Sequence, residues 1–408
     1  MTPYSHQIEV ANEAYDILAE NMIVYLAMEE RTGKTLSAIL TCEKTVLNNW
    51  LIITKKKALD GWAETLAKYK HNKQYTLTNY HQAKKFNPAD YDGVILDEAH
   101  NYLSSFPKMS QLWKDIAKLT KNKPIIYLSA TPYAQGAQLL YHQFKLSSWS
   151  PFSKWSTAYT WFRSFGIPDT VYLSGRQIET YKQVRTEEVL MYCKHLFISK
   201  TREELGFEHE PEDHLHYIEL SEATREVYNI ILKQRIIDLN NELIQYDSTA
   251  KLRAALHMLE GGVAKTNSVK DDKNKVIKQG KSIVLGNIEK VNYILKTWGD
   301  TDSLVIMYNY KPELIKLQKY FKQALLLQAT SFAEGVDLSH KEHLVIYSQD
   351  FSTARHSQRR ARQSNMKRTT PINVHYLLVK NAISEQVYTT VSVNKTNFVD
   401  SLFQENTL

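Results

Sequence analysis

Three short stretches hold the residue types that phosphate chemistry needs. In "MEERTGKT" (28–35), Gly33, Lys34 and Thr35 stand between an apolar run and a stretch of helical period. Strand, loop, helix is the order of a phosphate-binding loop, in which backbone N–H groups at a helix N-terminus favour an anion. Lys34 would reach the β- and γ-phosphates, and Thr35 would hold Mg2+. The pattern G-x-x-x-x-G-K-[ST] asks for a glycine where Met28 stands. In "VILDEAHN" (94–101) an apolar strand ends in Asp97 and Glu98, at the edge where α/β proteins bind ligands. Asp97 would position Mg2+, directly or through water, and Glu98 would orient and activate the attacking water. A solvated acid pair at a strand end is the plain alternative. In "YLSATP" (127–132), Ser129 and Thr131 could bond to the acidic pair and report the state of the phosphate. By itself that stretch reads as a turn before Pro132.

Buried strands must deliver these residues. The runs 22–28, 50–54, 75–80, 93–100 and 124–131 are short and apolar, and stretches of helical period such as 34–48 and 57–70 separate them. That alternation predicts a parallel sheet covered on both faces. Residues 137–190, rich in Trp, Tyr, Phe and Ser, read as a helical extension and linker. A second strand series follows at 215–220, 303–309, 324–330, 343–349 and 372–379. Before it completes, 221–259 reads as one long helical stretch. The polar segment 264–281 reads as a surface loop, with a basic nucleic-acid contact as the alternative reading.

The 408 residues suit two domains of ordinary size, or three, and 43% apolar with 23% charged residues is a globular composition. A net charge of +7 tilts toward anionic partners. Cys42 and Cys193 lie far apart without metal-ligand spacing, which argues against a disulfide scaffold or zinc site. The polar N-terminus is unlike a signal peptide, and no apolar run reaches membrane-spanning length. The expectation is a soluble, cytoplasmic protein without a membrane partner.

In this order the motifs resemble the first motor lobe of superfamily 2 helicases. "FISKTREELGFEHEPEDHLHYIELSEATREVYNIIL" (197–232) resembles the opening of the second lobe of Snf-type ATPases. "SLVIMYNY" (303–310), "ATSFAEGVDLS" (329–339) and "QRRARQSN" (358–365) resemble motifs IV, V and VI. The resemblance runs from Gln7 to about Tyr388. It implies an α/β fold of two RecA-like parallel-sheet lobes in tandem with an ATP cleft between them. Lobe 1 would span 1–140, a helical extension and linker 141–190, and lobe 2 191–408, with a helical insertion at about 221–281. Gln7 would read adenine. Thr32, Gly33, Lys34 and Thr35 match motif I; Asp97, Glu98 and His100 match motif II, with His100, Ser129 and Thr131 coupling the motifs. Gly335, Asp337, Gln358 and Arg359 are expected beside the nucleotide, and Arg362 would be an arginine finger. "IITKKKALDGW" (52–62) and "LTNYHQ" (77–82) resemble backbone-contacting motifs, which implicates Lys55, Lys56 and Lys57 with Asn79 and Tyr80.

Two further departures stand beside Met28. Asn365 occupies the place of the last motif VI arginine, with Arg359, Arg360 and Arg368 near enough in sequence to substitute. The stretch before motif V is also short by a strand and a helix. The resemblance implies an ATP- and Mg2+-dependent motor on DNA, a helicase or translocase of the compact phage or bacterial kind. Duplex or branched DNA is the favoured track, and RNA stays open. The alternative is a nucleic-acid-binding regulator with the helicase fold and little turnover. A small-molecule kinase would leave the second set of motifs unexplained.

Overall fold

The computed structural model describes residues 2–133, 136–173, 176–239, 242–266, 269–270, 276–278, 280–329, 338, 340–351, 356, 360–364 and 368–392. The chain divides between Phe207 and Glu208 into two compact units.

The first unit is built on six parallel strands: β1 (Ile23–Met28), β2 (Asn49–Thr54), β3 (Gln74–Asn79), β4 (Gly93–Asp97), β5 (Ile125–Leu128) and β6 (Phe197–Lys200). Their spatial order is β3-β2-β4-β5-β1-β6. Every residue of β1 and β5 is buried, as a sheet covered on both faces requires. Side chains alternate between faces, so Ile23, Tyr25 and Ala27 enter one core while Val24, Leu26 and Met28 enter another. Helix α1 (Ser5–Asn21) buries Val10, Ala14 and Leu18 in that second core. Helix α2 (Lys34–Lys44) adds Ala38, Ile39 and Cys42 to it. Val10, Leu18 and Ile39 each contribute roughly 1.5–3 kcal/mol of burial, and the alanines less. Together they fix the carboxyl edge of the sheet, where β1, β4 and β5 end.

The expected linker at 141–190 is part of this unit. Phe144, Phe152, Trp161 and Phe165 pack into the first core, and an antiparallel hairpin (Asp169–Leu173 with Arg176–Thr180) interrupts the helices. β6, expected in the second lobe, instead pairs with β1. The apolar extension thus finishes the first sheet, and the division falls at 207 rather than near 191.

The second unit holds five parallel strands: β7 (Pro211–Ile218), β8 (Leu304–Tyr308), β9 (Leu325–Gln328), β10 (His343–Ile346) and β11 (Ile372–Val379). Their order is β9-β8-β10-β11-β7. The stretch 221–259 is two helices, Glu222–Gln234 and Thr249–Glu260, separated by antiparallel strands Ile236–Leu239 and Glu242–Gln245. The adjacent β-branched Ile236 and Ile237 favour a strand over the helical period there. The expected loop at 264–281 contains paired strands instead: Val263–Lys265 with Ser282–Val284, and Val269–Lys270 with Val276–Lys278. Among the described residues no helix is long and apolar enough to cross a membrane.

Candidate phosphate-binding site

At the end of β1 the chain turns through residues 29–33 into α2. Gly33 has φ +86°, in the left-handed region that favours glycine. A Cβ there would lie 2.0 Å from Gln7 Nε2, so the absence of a side chain lets α1 pack on the loop. Gln7 is held in turn, because the Tyr4 N–H donates to its Oε1 at 3.0 Å. His6 Nε2 lies 3.1 Å from the Thr32 carbonyl, and the buried Thr32 hydroxyl donates to the Glu29 carbonyl at 2.8 Å. Lys34 Nζ donates to the carbonyls of Met28 and Glu29, both at 2.7 Å. The loop is therefore shaped by its own backbone oxygens and by α1. Lys34 and Thr35 open α2, in the turn whose N–H groups have no intrahelical partners.

β4 ends beside this loop. Asp97 Oδ2 accepts from Thr54 Oγ1 at 2.6 Å and from Trp62 Nε1 at 2.9 Å. Thr54 closes β2, the neighbour of β4, and Trp62 comes from α3 (Leu59–Lys68). Burial pushes the Asp97 carboxyl above its ordinary value; Glu98 adds to that, while Thr54, Trp62 and Lys55 oppose it. Burial likewise pulls the Lys34 ammonium down, against the attraction of Glu30, Glu98, Asp97 and Glu29. The Lys34 ammonium thus lies within reach of four carboxylates at a low-dielectric edge. Glu98 has φ +54°, a conformation that costs an L residue energy and is commonly kept where function requires it.

β5 supplies the third corner. Ser129 Oγ and His100 Nδ1 are 2.8 Å apart, and the Thr131 N–H donates to Ser129 Oγ at 2.9 Å. His100 Nδ1 also lies 3.4 Å from Glu98 Oε2. Glu98 and Ser129 therefore meet the same imidazole nitrogen at the sheet edge. The Glu98 N–H donates to the Leu128 carbonyl at 2.8 Å, which ties the end of β4 to β5.

The residues expected at nucleic acid fare differently. Lys56 and Lys57 are exposed and Lys55 is half-buried. Asn79 turns inward on its own loop, with Oδ1 accepting from the N–H groups of His81 and Gln82. Tyr80 is corrected: it is 1% exposed, stacks on Tyr102 and donates to the Asp97 carbonyl at 2.9 Å. It supports the acidic strand end from within and is not placed to touch a track.

In the second unit, Gly335, Asp337, Gln358, Arg359 and Asn365 lie outside the described residues. Arg362 belongs to the 3-10 turn Ala361–Gln363. Two arginines close to Asn365 in sequence have structural employment. Arg360 donates to Asp213 at 2.6 Å and to the Pro211 carbonyl at 2.7 Å. The buried Arg368 donates to the carbonyls of Thr370, Pro371 and Lys341. Sequence reasoning missed Thr54, Trp62 and Arg202, whose partners come from strands or helices distant in the chain. Arg202 is 1% exposed and pairs with Glu29 and Glu30.

Fold and site together define an α/β protein with a phosphate-loop-like edge on its first sheet. Residues 74–261, a little under half of the chain, match the family model described as SNF2-related domain, and this supports an Snf2-type family. The matched stretch contains Asp97, Glu98, His100 and Ser129, and begins after Lys34. No curated protein matches the chain. Among solved structures, the Sulfolobus solfataricus SWI2/SNF2 ATPase core in complex with dsDNA is 13% identical, with 98% of this chain and 92% of that chain covered and a TM-score of 0.42. The Sulfolobus solfataricus SWI2/SNF2 ATPase core domain is 14% identical, with coverage of 100% and 92% and a TM-score of 0.41. Superpositions this loose leave the fold to be read from the two sheets themselves.

Proposed function

We infer that this chain is an ATP-dependent motor on DNA, a compact DEAH-box ATPase of superfamily 2 that translocates on or remodels duplex or branched DNA. The observation that carries the reading is the convergence of Lys34, the Asp97–Glu98 pair and the Ser129–His100 contact at one sheet edge. The SNF2-related match across the acidic and Ser-Ala-Thr motifs supports it. Lys34 binds phosphate oxygens after exchanging its two carbonyl partners for them. Gln7 recognises the base. Thr35 and Asp97 supply hard oxygen ligands of the kind Mg2+ prefers, and Asp97 offers Oδ1 because Oδ2 already takes Thr54 and Trp62. Bound there, Mg2+ would neutralise charge on the β- and γ-oxygens. Glu98 orients the water and accepts its proton; its contact with His100 carries that state to Ser129. Arg362 keeps the arginine-finger role that its motif implies. Lys55, Lys56 and Lys57 would contact the phosphodiester backbone.

The test is ATP turnover compared on single-stranded DNA, duplex DNA, forked DNA and RNA. Stimulation highest on duplex or forked DNA is expected. Absence of turnover on all four would sink the motor.

A second reading has its own support. Asn365 replaces an arginine, and Arg360 and Arg368 are committed to Asp213 and to backbone carbonyls. That favours a nucleic-acid-binding regulator with slow hydrolysis. Tight DNA binding without stimulated turnover would select it.

A further inference from the structure

The acids of "MEERTGKT" pose an electrostatic problem. Glu29 and Glu30 immediately precede a loop proposed to receive a polyphosphate, and Asp97 and Glu98 already face it. Their side chains are 13% and 11% exposed, so water screens them poorly. Arg202 answers both. It follows β6, the strand that pairs with β1, so the ladder carries it to the loop: the Glu29 N–H donates to the Lys200 carbonyl at 3.0 Å. The Arg202 backbone N–H donates to Glu29 Oε2 at 2.9 Å. Its guanidinium lies 3.6 Å from a carboxylate oxygen of Glu29 and 3.6 Å from one of Glu30, and it donates to the Glu30 carbonyl at 3.4 Å.

We propose that Arg202 is a positioning residue of the nucleotide site, the buried counter-ion that neutralises Glu29 and Glu30 and so leaves Lys34 free to engage phosphate. The inference rests on the ATP-binding reading above. Lys34 and Arg202, with Lys55 beside Asp97, then serve the four carboxylates. The Arg202 guanidinium stays charged, and its fork suits two carboxylates at once. Lys34 already needs only to let go of two neutral carbonyls. Without Arg202, Glu29 and Glu30 would be left charged in a poorly screened site. They would compete for the Lys34 ammonium and repel the nucleotide, more strongly for a triphosphate than for a diphosphate. Arg202 touches no reacting atom, so its loss is read in binding before catalysis.

The experiment uses the full chain and a fluorescent ATP analogue, with folding checked by circular dichroism. Arg202→Gln should raise the dissociation constant about ten-fold or more, a loss of about 1.4 kcal/mol per decade. KM should rise more than kcat falls, and the loss should persist at high salt, because these acids are shielded from solvent ions. Arg202→Lys should recover part of the affinity. The triple variant Arg202→Gln, Glu29→Gln, Glu30→Gln should restore binding, because the charge that Arg202 offsets is gone. Wild-type affinity in Arg202→Gln would overturn the inference. So would a folded triple variant as weak as the single one, since a purely structural arginine is not rescued by removing the acids. Should Arg202→Gln fail to fold, the lysine and triple variants still decide. A wild-type chain that binds no ATP overturns the nucleotide reading itself, an outcome distinct from either of these.

Discussion

The Trp62 indole offers the sharpest test of how the acidic strand end is tuned. Its Nε1–H donates to Asp97 Oδ2 at 2.9 Å, and the ring is 2% exposed. Trp62→Phe removes that donor and keeps most of the packing. A hydrogen bond to a charged acceptor contributes about 1.5–3 kcal/mol, and the lost ring atoms cost roughly 1 kcal/mol of burial. Unfolding free energy in urea should therefore fall by about 2.5–4 kcal/mol. Trp161→Phe is the control: that ring is equally buried, and its Nε1 has no partner among the described residues. The control should cost only the packing share, roughly 1 kcal/mol. The two variants should also separate by pH. Burial and Glu98 already hold the Asp97 carboxyl high, and Trp62 is one of the groups pulling it down. Losing the donor raises it further, so the acid limb of the ATP turnover profile should move to higher pH and activity should recover on the alkaline side. Trp161→Phe should leave the profile in place. Superimposable pH profiles for wild type, Trp62→Phe and Trp161→Phe would refute the assignment of Trp62 to Asp97.

Other outcomes follow from the same contacts. Gly33→Ala places a Cβ against Gln7 at a φ of +86° and should weaken ATP binding by about ten-fold, checked by equilibrium titration. Glu313 is buried and its carboxyl is pushed up to about 7, with Ser348 and the N–H groups of Tyr310 and Asn309 opposing. Because the folded value exceeds the unfolded one, its stabilising contribution is full below pH 4.5 and lost as pH rises through about 7. Urea melts across that window should show wild type losing about 3 kcal/mol relative to Glu313→Gln. His375 has the opposite sign. Burial and the neighbouring His216, His343 and His214 pull it down to about 3, so its contribution is full above pH 6.5 and lost as pH falls. His216 Nε2 and His343 Nδ1 bond its two ring nitrogens, with Tyr293 on His216. His375→Asn should therefore flatten the acid side of the stability curve measured in urea.

Much of the first sheet was legible because its strands are continuous apolar runs. Asp97 ends β4, Ser129 stands one residue beyond β5, and Lys34 opens the helix that follows β1, so recognising each run also placed the chemistry after it. What escaped sequence reasoning depends on strand order. Thr54 meets Asp97 because β2 lies beside β4, and Arg202 meets Glu29 because β6 lies beside β1, 173 residues along the chain. No local pattern announces either pairing. Tyr80 misled for a related reason: an aromatic residue at a strand end can face a partner or the core, and only the position of Tyr102 and Asp97 decides. The hairpins within 236–284 were lost to a helix and a loop because short strands and polar composition imitate both.

The central claim is that the carboxyl edge of the first sheet hydrolyses ATP through Glu98. The direct measurement pairs steady-state ATP turnover with equilibrium ATP binding, in the presence of duplex DNA, for the wild-type chain and Glu98→Gln. The prediction is binding of similar strength in both and turnover in the wild type alone. Wild-type-like turnover in Glu98→Gln would contradict it.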